Sequence, residues 1–121
     1  MTKPFAKFVT RERIASADLI KAIWLAEAGS IDADLGGGVI KQRIARQGEG
    51  KSGGYRTVNA FRSGARAIFL FGFPKNEKAN IRKQELTALK MLAADLLTGE
   101  EVKLDRSVAD GSLIEIDTGV A

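Results

Sequence analysis

An apolar run at residues 67–73, Ala-Ile-Phe-Leu-Phe-Gly-Phe, constrains the fold of this chain more than any other feature. The segment 62–65, Arg-Ser-Gly-Ala, precedes the run and has the composition of a hairpin turn, while Pro74 ends it. An apolar run of this length between two such signals predicts a strand, and because it is apolar on both faces we expect a central strand. No stretch is long enough to cross a membrane and the first residues lack a signal-peptide core, so we expect a cytoplasmic protein.

Further strands are predicted before this run, with helices on either side of the series. Residues 39–46 alternate imperfectly between apolar and basic side chains, and residues 55–62 contain Thr, Val and Phe, so both segments predict strands. Helical spacing of apolar residues predicts one helix over 17–28, capped by Ser16, and a long helix over 80–98.

Weaker signals predict a short strand at residues 5–9 and an edge strand at 111–116. The order of helix, three sequential strands and helix predicts an α+β fold, in which a compact antiparallel sheet of three to five strands packs against N-terminal and C-terminal helices. A chain of 121 residues has room for one hydrophobic core, so we expect a single domain over residues 1–121. We expect Trp24, on the apolar side of the first helix, to lie in that core.

The sequence contains no histidine and no cysteine, which removes whole classes of site. Without cysteine there is no disulfide scaffold, thiolate zinc site or cysteine nucleophile, and without histidine there is no Ser-His-Asp triad or zincin site. Proton transfers in an enzyme of this composition have to use Lys, Tyr, Glu or Asp. Asp32 and Asp34 alone are a poor cation site, so we expect capping and turn roles for them, and neither a metal nor a cofactor.

Basic residues are concentrated in the middle of the chain. Residues 41–83 contain eleven basic and two acidic residues, a net charge of +9, whereas the rest contains eight basic and thirteen acidic residues, a net charge of −5. The net charge of +4 therefore conceals a one-sided distribution of the kind that binds phosphate, most often in nucleic acid. A solvated surface with scattered cations is the alternative, but arginine predominates in this segment and suits bidentate phosphate contacts.

The glycine-rich segment 48–54 is not a Walker A loop. The position five residues before Gly50, where that motif requires glycine, is Ala45, and the segment leads into a predicted strand instead of a helix. Its glycines and cations are typical of a backbone that approaches a ligand closely, although a long hairpin loop accounts for them too.

Several segments of the chain together resemble the RelE/HigB-like toxins of bacterial type II toxin–antitoxin systems. The segments that carry the resemblance are 39–46, 50–56, 66–73, Lys75, 79–81 and 110–116. The resemblance implies a small ribonuclease that cleaves mRNA on the ribosome without a metal, by attack of a 2′-hydroxyl on the adjacent phosphate. It also implies a cognate antitoxin, in the HigB-like branch a HigA-like helix-turn-helix protein, through which alone the toxin would contact operator DNA.

The resemblance implies two groups of site residues. The catalytic group is Lys41, Arg43, Arg46, Lys51, Arg56 and Lys75. The RNA-binding group is Tyr55, Arg62, Lys78, Asn80 and Arg82. Arg56 matches the strand arginine that contacts the scissile phosphate in the family. The tyrosine that some members carry near the final helix is not evident, and Asn80 or Arg82 is the candidate substitute.

The general base is left open by the sequence. The candidates are Lys41, Lys51 and Lys75, of which the one buried deepest among arginines has the most suitable environment, and Glu49 is the alternative. Strand alternation sends Tyr55 and Arg56 to opposite faces, so we expect Arg56 to face the RNA and Tyr55 to support it from the core or rim.

Two other functions are compatible with the same features. One is a gyrase poison like the ParE branch of the superfamily, and the other is a non-catalytic RNA- or ribosome-binding module whose basic face only positions phosphates. The cations between residues 41 and 56 favour the ribonuclease.

Overall fold

The computed structural model describes residues 1–46, 50–74 and 81–116, and of residues 46 and 50–53 it describes only the backbone. These residues form an α+β arrangement of four helices and four strands, which confirms the predicted fold class. In chain order the elements are α1 (Lys3–Glu12), α2 (Ser16–Glu27), β1 (Ala33–Gly36), β2 (Val39–Arg46), β3 (Gly50–Arg62), β4 (Arg66–Pro74), α3 (Lys83–Thr98) and α4 (Glu101–Asp110).

The strands form one antiparallel sheet in the order β1-β2-β3-β4. The predicted hairpin turn joins β3 to β4, where Ala65 N–H donates to the Arg62 carbonyl at 3.0 Å. Gly64 in this turn has a φ of +71°, which glycine adopts without strain. β2 has the predicted bounds, and β3 begins five residues before the predicted strand.

The apolar strand β4 lies at the edge of the sheet, so the prediction of a central strand was wrong. Helices cover both of its faces, and the N-terminal residues cover part of its edge, where Thr2 N–H donates to the Phe69 carbonyl at 3.0 Å. On one face α1 packs so closely that a side chain at Gly72 would meet the Phe8 ring at 2.5 Å. An edge strand buried on both faces has the same apolar pattern as a central one.

The N-terminal segment predicted as a strand at 5–9 is part of helix α1, and that prediction was wrong. The hydroxyl of Thr2 accepts a hydrogen bond from Phe5 N–H at 3.4 Å and so caps the helix, with a proline in its first turn. Phe5 and Phe8, three residues apart, are buried on one side of α1, which is helical and not strand spacing.

Helix α2 matches its prediction closely, but two details differ. Its cap residue is Ala15, with no side-chain cap, so Ser16 does not cap it. Trp24 is 71 % exposed and does not lie in the core, contrary to expectation. Leu19 and Ala22 face the sheet, and the 100° step of a helix turns Trp24 about 140° away from Leu19.

The helices divide the core between the two faces of the sheet. The face covered by α1 and α2, called the α1/α2 face below, holds a cluster built from Phe5, Phe8, Ile14, Leu19, Ala22, Ile44, Tyr55 and Phe69. The opposite face, called the α3 face, holds a cluster built from Val39, Val58, Ala60, Ile68, Leu70, Ala93, Leu97 and Leu113. Along β2 and β3, successive side chains alternate between these two clusters.

The C-terminal part of the chain contains a helix that the sequence did not predict. α3 begins three residues later than expected and ends at the predicted Thr98, and α4 follows it after a break of two residues. The edge strand predicted over 111–116 is reduced to a single bridge between Leu113 and Thr2. Among the described residues, no helix is both long enough and apolar enough to span a membrane.

Candidate nucleic-acid interface

Three basic side chains of the predicted catalytic group lie together on the sheet. Arg43 on β2 lies directly opposite Arg56 on β3, and Lys41 lies two residues before Arg43, opposite Val58. Because side chains of one face recur every second residue, all three belong to the α3 face, in line with Val39 and Val58 of its cluster. The sheet register therefore brings together three cations from two strands.

A single carboxylate, that of Asp32, binds all three cations. Arg56 Nη1 donates to Asp32 Oδ2 at 2.7 Å, and Arg43 Nε donates to Asp32 Oδ1 at 3.1 Å. Lys41 Nζ lies 3.9 Å from the same Oδ2. These four side chains are called the cation cluster below.

The cation cluster has more positive than negative charge and is open on one side. Three cations around one carboxylate leave a net charge of +2. The Arg43 side chain is 58 % exposed, whereas those of Arg56 and Lys41 are 12 % and 17 % exposed. Each arginine donates one N–H group to Asp32 and has further donors in its planar guanidinium fork, which fits two oxygens of a phosphate. The cluster therefore has the charge and the donors to accept an anion that approaches past Arg43.

Tyr55, predicted to bind RNA, lies on the other side of the sheet. It is 4 % exposed in the α1/α2 cluster, where its ring meets Phe8 edge-on at a centroid distance of 5.5 Å. Its hydroxyl donates to the Glu12 carbonyl at 3.4 Å. The side chain packs in the core, as the alternation of β3 predicts, and it does not belong to the cation cluster.

Other predicted site residues are not in the cluster. Arg62 is exposed at the hairpin end of β3, six residues beyond Arg56 and hence about 20 Å along the strand. Arg82 is exposed before α3, where its backbone N–H donates to the Glu85 carboxylate at 3.0 Å. The remaining predicted residues lie outside the described residues, or have side chains that do: Arg46, Glu49, Lys51, Lys75, Lys78 and Asn80.

Asp32 is the site residue that the sequence reasoning missed. Of the two aspartates given turn roles, Asp34 has one, because its carboxylate accepts from Gly36 N–H at 2.9 Å, but Asp32 binds the cations instead. The sequence signal that could have revealed this role is the glycine run at 36–38. Each of these glycines has a positive φ, and β1 turns back onto β2 there. A hairpin centred there places Asp32 beside Lys41, and Asp32 N–H donates to the Lys41 carbonyl at 2.9 Å.

The carboxylates of the described residues are spread out. Among residues 1–46, 50–74 and 81–116, no group of three or more Asp or Glu side chains is arranged to hold a metal ion. Asp32 is held by cations and Asp34 by a backbone N–H group, so these two carboxylates do not converge on one point.

Comparison with known families decides the class of this chain. The chain matches, over residues 1–116, the family described as "RelE toxin of RelE / RelB toxin-antitoxin system". This chain belongs to the RelE toxin family. No curated protein matches it.

Membership of the RelE family gives the chain its biological class. It is a toxin of a toxin–antitoxin system, and its partner is an antitoxin. The match covers every element described above, from α1 to α4, including all four residues of the cation cluster.

Proposed function

We propose that this RelE-family toxin is an endoribonuclease that cleaves mRNA on the ribosome and thereby inhibits translation. The observation that carries the proposal is the pair of arginines directly opposite each other on β2 and β3, with Lys41 beside them and a net charge of +2. Two guanidinium groups side by side suit the oxygens of a phosphodiester, whose negative charge increases in the transition state of cleavage.

The proposed reaction requires no metal. The 2′-oxygen attacks the adjacent phosphorus while a base takes the proton of the 2′-hydroxyl. The bond from phosphorus to the 5′-oxygen then breaks, and that oxygen receives a proton. The products are a 2′,3′-cyclic phosphate and a 5′-hydroxyl. Arg43 and Arg56 stabilise the charge on the non-bridging oxygens, a role for which arginine suits because it stays protonated.

Proton transfer in this site is assigned to a lysine. Lys41 is the candidate base whose side chain lies in the described part of the cluster, 17 % exposed and in line with two arginines. A lysine amine beside these arginines can exchange a proton with a reacting oxygen. Lys51, Lys75 and Glu49 are the alternatives.

The remaining parts of the proposal concern partners and location. Ribosomal RNA and mRNA would attract the basic middle of the chain. The toxin would act in the cytoplasm, where mRNA is translated. It would act as a single domain. The antitoxin would be a HigA-like helix-turn-helix protein, through which alone the toxin contacts operator DNA. These statements rest on the resemblance to the HigB-like branch.

The test is cleavage of mRNA by purified toxin on programmed ribosomes in the presence of EDTA, with the ends of the products mapped and identified. We expect cuts at defined positions with 5′-hydroxyl ends, and loss of about 100-fold or more in rate for Arg56→Gln. Arg106→Gln is the matched control, since Arg106 is exposed on α4, which lies beside residues 67 and 68 near the hairpin end of the sheet.

Each alternative function predicts its own result, in this assay or in cells. Intact mRNA together with broken DNA in cells that express the toxin would identify a gyrase poison and overturn the proposal. Intact mRNA with tight ribosome binding would identify a non-catalytic module. Equal rates for Arg56→Gln and Arg106→Gln would show that cleavage takes place elsewhere on the chain.

A further inference from the structure

The two arginines of the cation cluster face each other in an arrangement that is unfavourable by itself. Arg43 and Arg56 are directly opposite across two antiparallel strands, where the Cβ atoms of such pairs are about 5 Å apart. Like charges in that position repel and destabilise the pairing. Arg56 is 12 % exposed, so water screens its charge poorly. The sheet needs a counter-ion at this point.

Asp32 supplies that counter-ion with one oxygen for each arginine. Its Oδ1 accepts from Arg43 Nε and its Oδ2 from Arg56 Nη1, so the carboxylate spans the pair. The main chain of Asp32 is fixed as well, because its N–H donates to the Lys41 carbonyl at 2.9 Å. The carboxylate is therefore held from the residue that directly precedes β1, and its side chain is 19 % exposed.

We propose that Asp32 is a positioning residue that fixes the orientation of the Arg43 and Arg56 guanidinium groups, so that their remaining N–H donors point to one phosphate. This inference rests on the proposed function and deepens it. Among the contacts of the described residues, Arg43 binds Asp32 through Nε, which leaves both of its terminal nitrogens for the substrate. Arg56 binds through one terminal nitrogen, which leaves the other terminal nitrogen and Nε.

Two other roles for Asp32 are less consistent with these contacts. A general base needs a free oxygen that reaches the 2′-hydroxyl, but both oxygens accept hydrogen bonds from arginines. A competitor that blocks the phosphate site would occupy all the donors of the arginines, whereas Asp32 takes one from each. Each of these two roles predicts a different result in the following experiment.

The experiment compares Asp32→Asn with the matched control Asp34→Asn in the wild-type background. Both variants remove one negative charge from the β1 segment, but Asp34 accepts only from Gly36 N–H among the described contacts, which asparagine also does in a turn. Asparagine at 32 offers one neutral amide oxygen in place of two charged carboxylate oxygens, so it loses the contact to one arginine and weakens the contact to the other. Three quantities are measured: affinity for a single-stranded RNA oligonucleotide, cleavage rate on saturated ribosomes, and the ¹H–¹⁵N signal of Arg43 Nε–H.

For Asp32→Asn we expect unchanged or tighter RNA binding, because the cluster becomes more positive, together with a loss of about 10- to 100-fold in maximal cleavage rate. The Arg43 Nε–H signal, assigned by its absence in Arg43→Lys, should exchange with water much faster than in the wild type. Asp34→Asn should match the wild type in cleavage and in this signal. Circular dichroism gives the folded fraction, by which the rates are normalised.

Other results overturn the inference. A faster cleavage rate in Asp32→Asn would make Asp32 a competitor for the phosphate site. A lower cleavage rate together with an unchanged Arg43 Nε–H signal would show that Asp32 acts as the general base. A loss of activity that disappears after normalisation to folded protein would make its role purely structural. If the wild type cleaves no RNA, the ribonuclease proposal fails, while the Arg43 signal still decides whether Asp32 positions the arginines.

Discussion

Tyr55 and Arg56 are neighbours on β3, yet they belong to regions of opposite character. Tyr55 packs in the aromatic cluster of the α1/α2 face, whereas Arg56 on the α3 face binds the Asp32 carboxylate in the cation cluster. The α1/α2 face is closed by two helices. The α3 face is apolar towards the hairpin end, around Ala60, and charged towards the opposite end of β2 and β3. One face is therefore closed by packing, and the other leaves part of its charged surface open to solvent.

Polar residues also differ between the two faces. Gln42 and Thr57 lie opposite each other on the α1/α2 face, and Asn59 follows two residues later. All three are buried, and Gln42 donates to the Ala22 carbonyl of α2 at 2.7 Å. Polar side chains on this face are thus enclosed, while the charged ones on the α3 face are accessible through Arg43. Substitutions on the two faces should therefore have separable effects on stability and on activity.

The largest effect is expected from Phe69→Ala on the α1/α2 face. Phe69 is fully buried and stacks on Phe5 of α1 at a centroid distance of 4.9 Å. Its truncation should lower the free energy of unfolding by about 3–5 kcal/mol, measured by urea denaturation. Met91→Ala, at a site 69 % exposed on α3, is the control and should change it by less than about 0.5 kcal/mol. Equal losses in the two variants would contradict the assignment of the core.

Arg43→Gln should have the opposite profile. The side chain is 58 % exposed, so we expect the free energy of unfolding to change by less than about 0.5 kcal/mol. The cleavage rate on ribosomes should fall by about 10- to 100-fold, because one of the two guanidinium groups facing the phosphate is lost. Arg43→Lys keeps the charge without the fork and should give an intermediate rate. A rate equal to that of the wild type would remove Arg43 from the site.

Thr57→Val tests whether the enclosed polar groups stabilise the α1/α2 face. Thr57 is fully buried, and its hydroxyl has no hydrogen-bond partner among the described residues. Replacement of an unpartnered buried hydroxyl by a methyl group of similar shape should raise the free energy of unfolding by about 1 kcal/mol. Urea denaturation measures this, and cleavage should not change. A destabilised variant would mean that the hydroxyl is bound in solution.

Glu27→Gln should have the smallest effect, and one that depends on pH. The Gly64 N–H and the Ser63 hydroxyl donate to the Glu27 carboxylate and hold its pKa below the usual value. A carboxyl with a lowered folded-state pKa stabilises the protein above its unfolded-state pKa, and this contribution is lost as the pH falls through the folded-state pKa. The wild type should exceed Glu27→Gln slightly in stability at neutral pH and match it in acid. A difference independent of pH would contradict this account.

Periodicity within single elements was informative about this fold. It predicted α2, β2 and the hairpin at 62–65 nearly as they occur, because alternation, helical spacing and turn residues are local properties. It failed where contacts between different elements determine which residues are buried. β4 is apolar on both faces because helices cover an edge strand, and Trp24 is exposed although Ala22 and Ala26 of the same helix are buried.

The candidate site was predictable in part for the same reason. Charge segregation placed Lys41, Arg43 and Arg56 in a basic segment, and the resemblance to the RelE/HigB-like toxins singled them out as candidates together with three further cations. The register of β2 and β3 brings these three together. Asp32 was missed because its role depends on the short strand β1, which the sequence signals only through the glycine run at 36–38. Its cationic partners lie on β2 and β3, so this cluster can be predicted only when the order of the strands in the sheet is known.

The most direct test of the account is one series that measures the cleavage rate per folded molecule for Tyr55→Phe and Arg56→Lys. Tyr55→Phe removes a buried hydroxyl from the packing face and should leave the rate within about twofold of the wild type, at a cost of about 1 kcal/mol in stability. Arg56→Lys keeps the charge but loses the fork that binds Asp32 and, in the proposed function, phosphate, so its rate should fall by at least about 10-fold. A normal rate for Arg56→Lys together with a lost rate for Tyr55→Phe would place the chemistry on the other face and contradict the central claim.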